Sequence, residues 1–265
     1  MTFPPVPDPF YWAESACGPV LRCRPLDAIA RHAFTTRQLR LGSHEAWEQV
    51  AAELGVAEVV TLNQVHGRAV LSVRRGHPRQ PDRSDADAIL SNDPSVGVAV
   101  RAADCVPVLL ADAKRGVVGA IHAGWRGTAA GVAPAAVTAL AREFGSQAGD
   151  LAVAIGPSIG PCCYEVGTDL VDAFAAAGHP RHLIDRWFLA PAPRRGERLA
   201  PKLRLDVAGA NRDQLMLAGV SPERIFACGL CTAEHLDVLT SFRAEKDGAV
   251  RLAGAIAPGP GASVQ

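Results

Sequence analysis

The chain has 265 residues, Lys+Arg and Asp+Glu balance at 27 each, and 48% of the residues are hydrophobic. That length buries a substantial core in one large domain or two small ones. The balanced charge argues against a polyanion binder, so nucleic acid is not an expected partner, and no apolar run reaches the ~18 residues that a bilayer span needs. The start, MTFPPVPDPFYW, lacks a basic segment and is not read as a signal peptide. A cytoplasmic protein is expected. The seven cysteines, an odd number, argue against a disulfide framework.

The first ~20 residues are Pro-rich and are expected to be irregular. Glu45 to Leu54 reads as a helix ended by Gly55, and Glu58 to Leu62 as a strand followed by the turn NQVHG. Gly97 to Ala102, Val106 to Ala111 and Val117 to Ile121 are apolar, β-branched runs, expected to be buried strands. Gly131 to Phe144 repeats apolar residues at Val132, Ala136, Leu140 and Phe144, one face of a helix. Leu151 to Ile155 reads as a strand that stops at GPSIGP, and Gly167 to Ala177 as a helix. Ala190 to Arg204 reads as a loop rich in Pro and Arg. Asp206 is a good N-cap for a helix that Gly219 ends. Val250 to Ala257 is the expected last strand. The organisation expected is one domain over residues 1–257, with a disordered tail at 258–265. Strands and helices mix without a βαβ rhythm, so an α+β fold with mixed sheets is favoured over a doubly wound parallel sheet.

Three polar residues sit where apolar strands end. They are His66 in QVHG, Cys105 in ADCVP and His122 in IHAGWRG. Strand ends share a rim, so such residues can converge from distant positions. Imidazole and thiolate suit zinc or copper, and three protein ligands leave a position open, as catalytic sites do. Packed core residues are the competing reading of each one taken alone.

The stretch DADAILSND, RAADCVPVLLAD, GAIHAGWRGTAAG, AIGPSIGPCCYEVG resembles the laccase-domain family, also called multicopper polyphenol oxidase or YfiH-like. The likeness continues in RLDVAGANRDQLMLAGV and CTAEHLDVLTSFR and covers about residues 61–255. The resemblance implies a layered α/β/β/α sandwich with two mixed sheets. It also implies that His66, Cys105 and His122 bind one metal ion, zinc with copper as the alternative, and carry the catalysis. The implied activity is purine nucleoside phosphorolysis: adenosine, inosine or methylthioadenosine plus phosphate give base and ribose 1-phosphate. Adenosine deamination is implied alongside it. A zinc amidohydrolase acting on a cell-wall precursor, a copper polyphenol oxidase and a non-catalytic metal module are the other readings. The chain departs from the family after Thr35-Thr36-Arg37, where Gln38 to Ser43 replaces a Gly-Gly-Val-Ser-like loop, and at Ser241-Phe242-Arg243, where a Tyr hydroxyl is lost.

Among the arginines in or beside these motifs, Arg37 and Arg243 are favoured for phosphate and Arg126 is either a substrate contact or a structural pair. Gln64, two residues before His66, faces the same side of an extended segment and is a candidate substrate contact. Asp104 either orients an imidazole or caps a turn. Trp125 either stacks on a purine or fills the core. Cys162 and Cys163 point to opposite sides of an extended chain, so they read as a packed pair. Cys228 and Cys231 form a C-x-x-C, read as packing with a structural zinc as the alternative. His77, His179 and His182 read as surface residues.

Overall fold

The structure, a computed structural model, describes residues 2–77, 84–190 and 202–259. It opens on an antiparallel hairpin, β1 (Phe10–Ser15) and β2 (Gly18–Cys23), turning at Gly18 with φ 76°. The irregular start expected over ~20 residues therefore ends at Pro9. Prolines up to that point remove ladder donors, while the run that follows is aromatic and suits a pleated surface. The Pro-rich segment lies along the hairpin: Trp12 Nε1 donates to the Pro4 carbonyl at 2.9 Å, and its ring stacks on Phe3.

After α1 (Arg24–Asp27) come β3 (Ala30–Thr35), α2 (His44–Leu54) and β4 (Glu58–Thr61). Ser43 caps α2 by accepting from the Ala46 amide, and Gly55 ends it in the left-handed conformation, as the sequence pattern implies. The central strands are β5 (Val70–Val73), β6 (Ala88–Ser91), β7 (Val96–Ala102), β8 (Val106–Asp112) and β9 (Val117–Ala123). Gly131, at φ 78°, separates a short α3 (Trp125–Ala130) from α4 (Val132–Phe144). Next are β10 (Ala152–Ile155), β11 (Glu165–Val166), α5 (Thr168–Ala176), α6 (Arg181–Trp187) and β12 (Phe188–Leu189). The chain closes with β13 (Leu203–Leu205), α7 (Val207–Leu217), β14 (Ile225–Ala227), α8 (Phe242–Glu245) and β15 (Leu252–Pro258). The loop expected over Ala190 to Arg204 ends earlier than expected, because Leu203 and Arg204 pair with β11 and β12. Residues 191–201 of that loop and 260–265 of the expected tail lie outside the described residues.

Two six-stranded sheets result, ordered β1-β2-β3-β15-β7-β4 and β14-β10-β8-β9-β6-β5. Both are mixed: β4–β7, β10–β14 and β5–β6 are parallel, and the other pairs are antiparallel. The sheets pack face to face, with α2 on the outer face of the first and α4, backed by α7, on the outer face of the second. This is the α/β/β/α layering.

The alternation of side chains explains why the central strands read as unbroken apolar runs. On β8, Val106, Val108 and Leu110 pack under α4, while Leu109 and Ala111 face the other sheet. On β15, Leu252 and Ile256 face the second sheet, and Ala255 and Ala257 lie under α2 with Val50 and Leu54. Both faces are buried, so no polar alternation survives.

Gly156, just past β10, lies against the buried Phe34 ring. A Cβ there would come within 2.3–2.4 Å of two ring carbons. Gly156→Ala should therefore destabilise the fold by about 1–3 kcal/mol through overpacking. The check is urea unfolding, with a lower midpoint at unchanged slope. An unchanged midpoint would mean that Phe34 can swing aside.

Candidate metal centre

Hydrogen-bond register brings the three strand-end residues together. Strands β8 and β9 are antiparallel with Pro107 opposite His122, so Cys105, just before β8, meets the end of β9. His66 lies on the segment between β4 of the first sheet and β5 of the second, and that crossing passes the same rim. The candidate ligand atoms of His66, Cys105 and His122 all lie within 4.8 Å of one another. Cys105 Sγ is 4.0 Å from His66 Nε2, and the two imidazoles meet edge to face at 4.9 Å between centroids. His122 is buried, Cys105 is half-buried and His66 is exposed, so the cluster opens to solvent on one side.

The residues fit a metal ion. A Cβ on Gly124 would lie 2.8 Å from Cys105 Sγ and 3.0 Å from His66 Cδ2, so only glycine leaves the cradle open. The donor set, two imidazoles and a thiolate, suits zinc or copper. His122 Nδ1 bonds Asp87 Oδ1 at 2.8 Å, which turns Nε2 toward the cluster.

Asp87 is the residue that inspection of strand ends overlooked. It stands just before β6, whose Ala88 pairs with Ile121 beside His122. Its fully buried carboxylate accepts the amides of Val65 at 3.3 Å, His66 at 3.0 Å and Gly67 at 2.6 Å, as well as the imidazole. One side chain therefore orients one ligand and pins the loop that carries another. An acidic residue abutting the apolar run AIL was the available signal. Asp104, the alternative considered for this task, does not orient an imidazole. It accepts from Thr232 Oγ1 at 2.7 Å and from the Arg243 amide at 2.6 Å, tying two loops to the cleft wall.

Charge in the cluster is correlated. Burial acts to raise the Cys105 thiol, but hydrogen bonds and charge from His122 and His66 outweigh it and bring the group down to about 6. Burial acts to lower His122, and Asp87 and Cys105 outweigh it and lift the imidazole to about 9. Burial likewise opposes ionisation of Asp87, whose carboxyl is nonetheless held below its ordinary value by His122 and the Gly67 and His66 amides.

Two clefts meet at this cluster. A polar cleft of about 480 Å³ is lined by Gln64, His66, Arg101, Cys105, His122 and Arg251. An aromatic cleft of about 210 Å³ is lined by Trp125, Ile159, Tyr164, Val207, Arg243 and Lys246. Cys105 and Phe242 belong to both. The three non-glycine residues with positive φ among those described, His66, Asp104 and Lys246, all line these clefts. Such conformations cluster at functional sites.

The expected substrate contacts are placed unevenly. Arg243 reaches the aromatic cleft, its guanidinium 5.0 Å from the Tyr164 ring and donating to the Glu165 carbonyl. Gln64 lines the polar cleft, but its amide is paired at both ends with the Arg101 backbone, at 2.7 and 2.8 Å. Arg37 lines neither cleft. It bonds the Leu236 carbonyl and Glu245, so it supports the loop carrying Arg243. Trp125 lines the aromatic cleft with Arg126 stacked on it at 4.4 Å. His179 is not a surface residue: it packs on Phe174 and Trp187 and bonds the Ala129 carbonyl at 2.9 Å.

Residues 42–258 match the model of a family described as multi-copper polyphenol oxidoreductase laccase. The chain belongs to that family. Among curated relatives, a purine nucleoside phosphorylase of Deinococcus radiodurans is 37% identical over 188 residues, 70% of this chain and 66% of the relative. An adenosine deaminase from an unknown prokaryotic organism is 32% identical over 203 residues, 73% of this chain and 74% of the relative. The crystal structure of Bacillus licheniformis hypothetical protein YfiH superposes with a TM-score of 0.81 at 27% identity, covering 96% of this chain and all of that one. The chain spans about two thirds of the length of the first curated relatives it matches.

In this laccase-family chain, Asp87→Asn should weaken zinc binding about 10–100-fold, the usual cost of losing an outer partner of a ligating histidine. Competition against a chromophoric chelator measures it. In metal-free protein, thiolate absorbance measured against Cys105→Ser should titrate with a midpoint near 6, because an opposite charge favours the ionised thiol. His122→Gln removes that charge and should move the midpoint upward. A midpoint already in the ordinary cysteine range in the parent protein would refute the coupling.

Proposed function

We propose that this chain is a metal-dependent purine nucleoside phosphorylase with adenosine deaminase side activity. The observation that carries the reading is the shared wall: Cys105 of the ligand cluster and Phe242 of the aromatic cleft each border both cavities. A flat apolar base held by aromatic rings would thus lie beside the cluster. The relatives named purine nucleoside phosphorylase and adenosine deaminase support the choice of substrate class.

Trp125, Tyr164 and Phe242 offer ring faces and edges to a purine. Tyr164 is pushed up to about 12 by burial and the nearby Cys105, against the pull of Arg243, so it stays a neutral phenol able to donate. Arg243 and Lys246 bring positive charge to the same cleft and are the groups assigned to phosphate. In the reaction the C1′–N bond breaks, phosphate oxygen bonds to C1′, and the departing base takes up a proton. A divalent ion at His66, Cys105 and His122 would supply a Lewis acid, and zinc is the ion proposed. Glu245 accepts from Arg37, Thr240 Oγ1 and the Ser241 amide, which holds the segment presenting Phe242 and Arg243.

The test incubates the zinc-loaded protein with adenosine or inosine, with and without phosphate, and identifies products by mass. Base and ribose 1-phosphate should form only with phosphate, and adenosine should also give inosine without it. Absence of ribose 1-phosphate in every condition would remove the proposal. Arg243→Ala should raise KM for phosphate about tenfold or more, the loss of a charge-assisted hydrogen bond. Trp125→Ala should raise KM for the nucleoside instead. Steady-state kinetics with each substrate varied separates the two.

A further inference from the structure

A second cluster of soft ligands lies on segments adjoining Ile159 and Tyr164 of the aromatic cleft. Cys162, Cys163 and Cys231 place their sulfurs within 4.8 Å of one another. The reading that neighbouring cysteines point apart assumes an extended chain. Here Gly160 to Tyr164 is a turn in which the amides of both Cys163 and Tyr164 donate to the Gly160 carbonyl at 3.0 Å, so the chain curls and both side chains reach one point. Cys231 is brought in by a parallel bridge between its own segment and Ser158. The other half of the C-x-x-C, Cys228, is buried in the layer between the sheets and takes no part.

The surroundings are those of a built site. The Gly160 amide donates to Cys231 Sγ at 3.3 Å, a bond that stabilises sulfur carrying negative charge. A Cβ on Gly160 would lie 3.1 Å from Cys162 Sγ and 3.6 Å from Cys231 Sγ, so glycine keeps the space between the sulfurs clear. Arg204 holds the turn from outside by donating to the Pro161 and Cys162 carbonyls. Cys231 is buried, Cys163 is half-buried and Cys162 is exposed, which leaves an entry path from solvent.

We propose that Cys162, Cys163 and Cys231 form a second, three-thiolate site for a thiophilic d10 cation, zinc or cuprous copper, separate from the His66–Cys105–His122 centre. Three thiolates satisfy a trigonal cuprous ion, or a tetrahedral zinc ion with water as fourth ligand. Binding exchanges the thiol protons for the cation, with no change of oxidation state. The ion would clamp the 158–166 segment to the 230–232 segment. Ile159 and Tyr164 of the first line the aromatic cleft, and Thr232 of the second is held by Asp104, so the clamp stiffens that wall.

The test titrates cadmium into reduced, metal-free full-length protein under anaerobic conditions and follows thiolate-to-cadmium absorption. Two equivalents per chain are expected. Cys162→Ser and Cys231→Ser should each bind one, and Cys105→Ser should lose the other. Cys162 is exposed, so its replacement preserves folding even if that of the buried Cys231 does not. Cadmium binding by Cys162→Ser equal to that of the parent protein, at one equivalent or at two, overturns the proposal. Parallel titrations with zinc and with cuprous ion, each against a chromophoric chelator, identify the cation as the one whose second equivalent Cys162→Ser removes.

Discussion

The Asp87 carboxylate is the interaction on which the centre depends. An ionised carboxylate without solvent costs several kcal/mol unless its oxygens are satisfied. Here three consecutive backbone amides and one imidazole do so. The compensation is also geometric. Only a loop folded tightly enough to aim the Val65, His66 and Gly67 amides at one point can supply those donors, and that requires His66 at φ 61°. The strained backbone and the buried charge therefore sustain each other, and together they set the position of two ligands.

Charge then propagates from Asp87 to His122 to Cys105. The carboxylate favours imidazolium, and imidazolium favours thiolate, in a setting where burial opposes every one of these ionised forms. In the absence of a cation the three groups form an alternating string of charges. A cation held by these residues would need His122 unprotonated, because a ligating nitrogen must be unprotonated. Gly124 keeps the space beside the thiol and the His66 imidazole open.

The cleft walls depend on a second carboxylate relay. Asp104 anchors the Thr240 to Lys246 segment at the Arg243 amide, and Glu245, within the segment, ties together Thr240, Ser241 and Arg37. Arg37, which looks like a substrate residue in the chain, thereby acts as a strut. Its charge is spent within the protein, whereas Arg243 extends into the cavity. With Phe in place of Tyr in Ser241-Phe242-Arg243, a half-exposed ring without a hydroxyl stands where both clefts join.

The sequence by itself determined the elements whose signals are local. The end of helix α2 follows from Gly55, the start of α7 from its Asp206 cap, and the buried strands from their apolar runs. It also singled out His66, Cys105 and His122, less because they sit at strand ends, where packed residues are an equal reading, than because they lie in specific motifs. What it could not show was pairing between distant segments. The short strands β11, β12 and β13 exist only through pairing with one another and packing of Val166, Phe188 and Leu205 into the core. The role of Asp87 exists only through the register of β6 on β9, and the convergence of Cys162, Cys163 and Cys231 only through a turn and a bridge between Ser158 and Cys231, 73 residues apart. Ligand chemistry is a property of residue type and is visible in the chain. Which carboxylate orients it, which arginine is free to meet an anion, and which cysteines share a point are properties of three-dimensional proximity, and only the tertiary structure decided them.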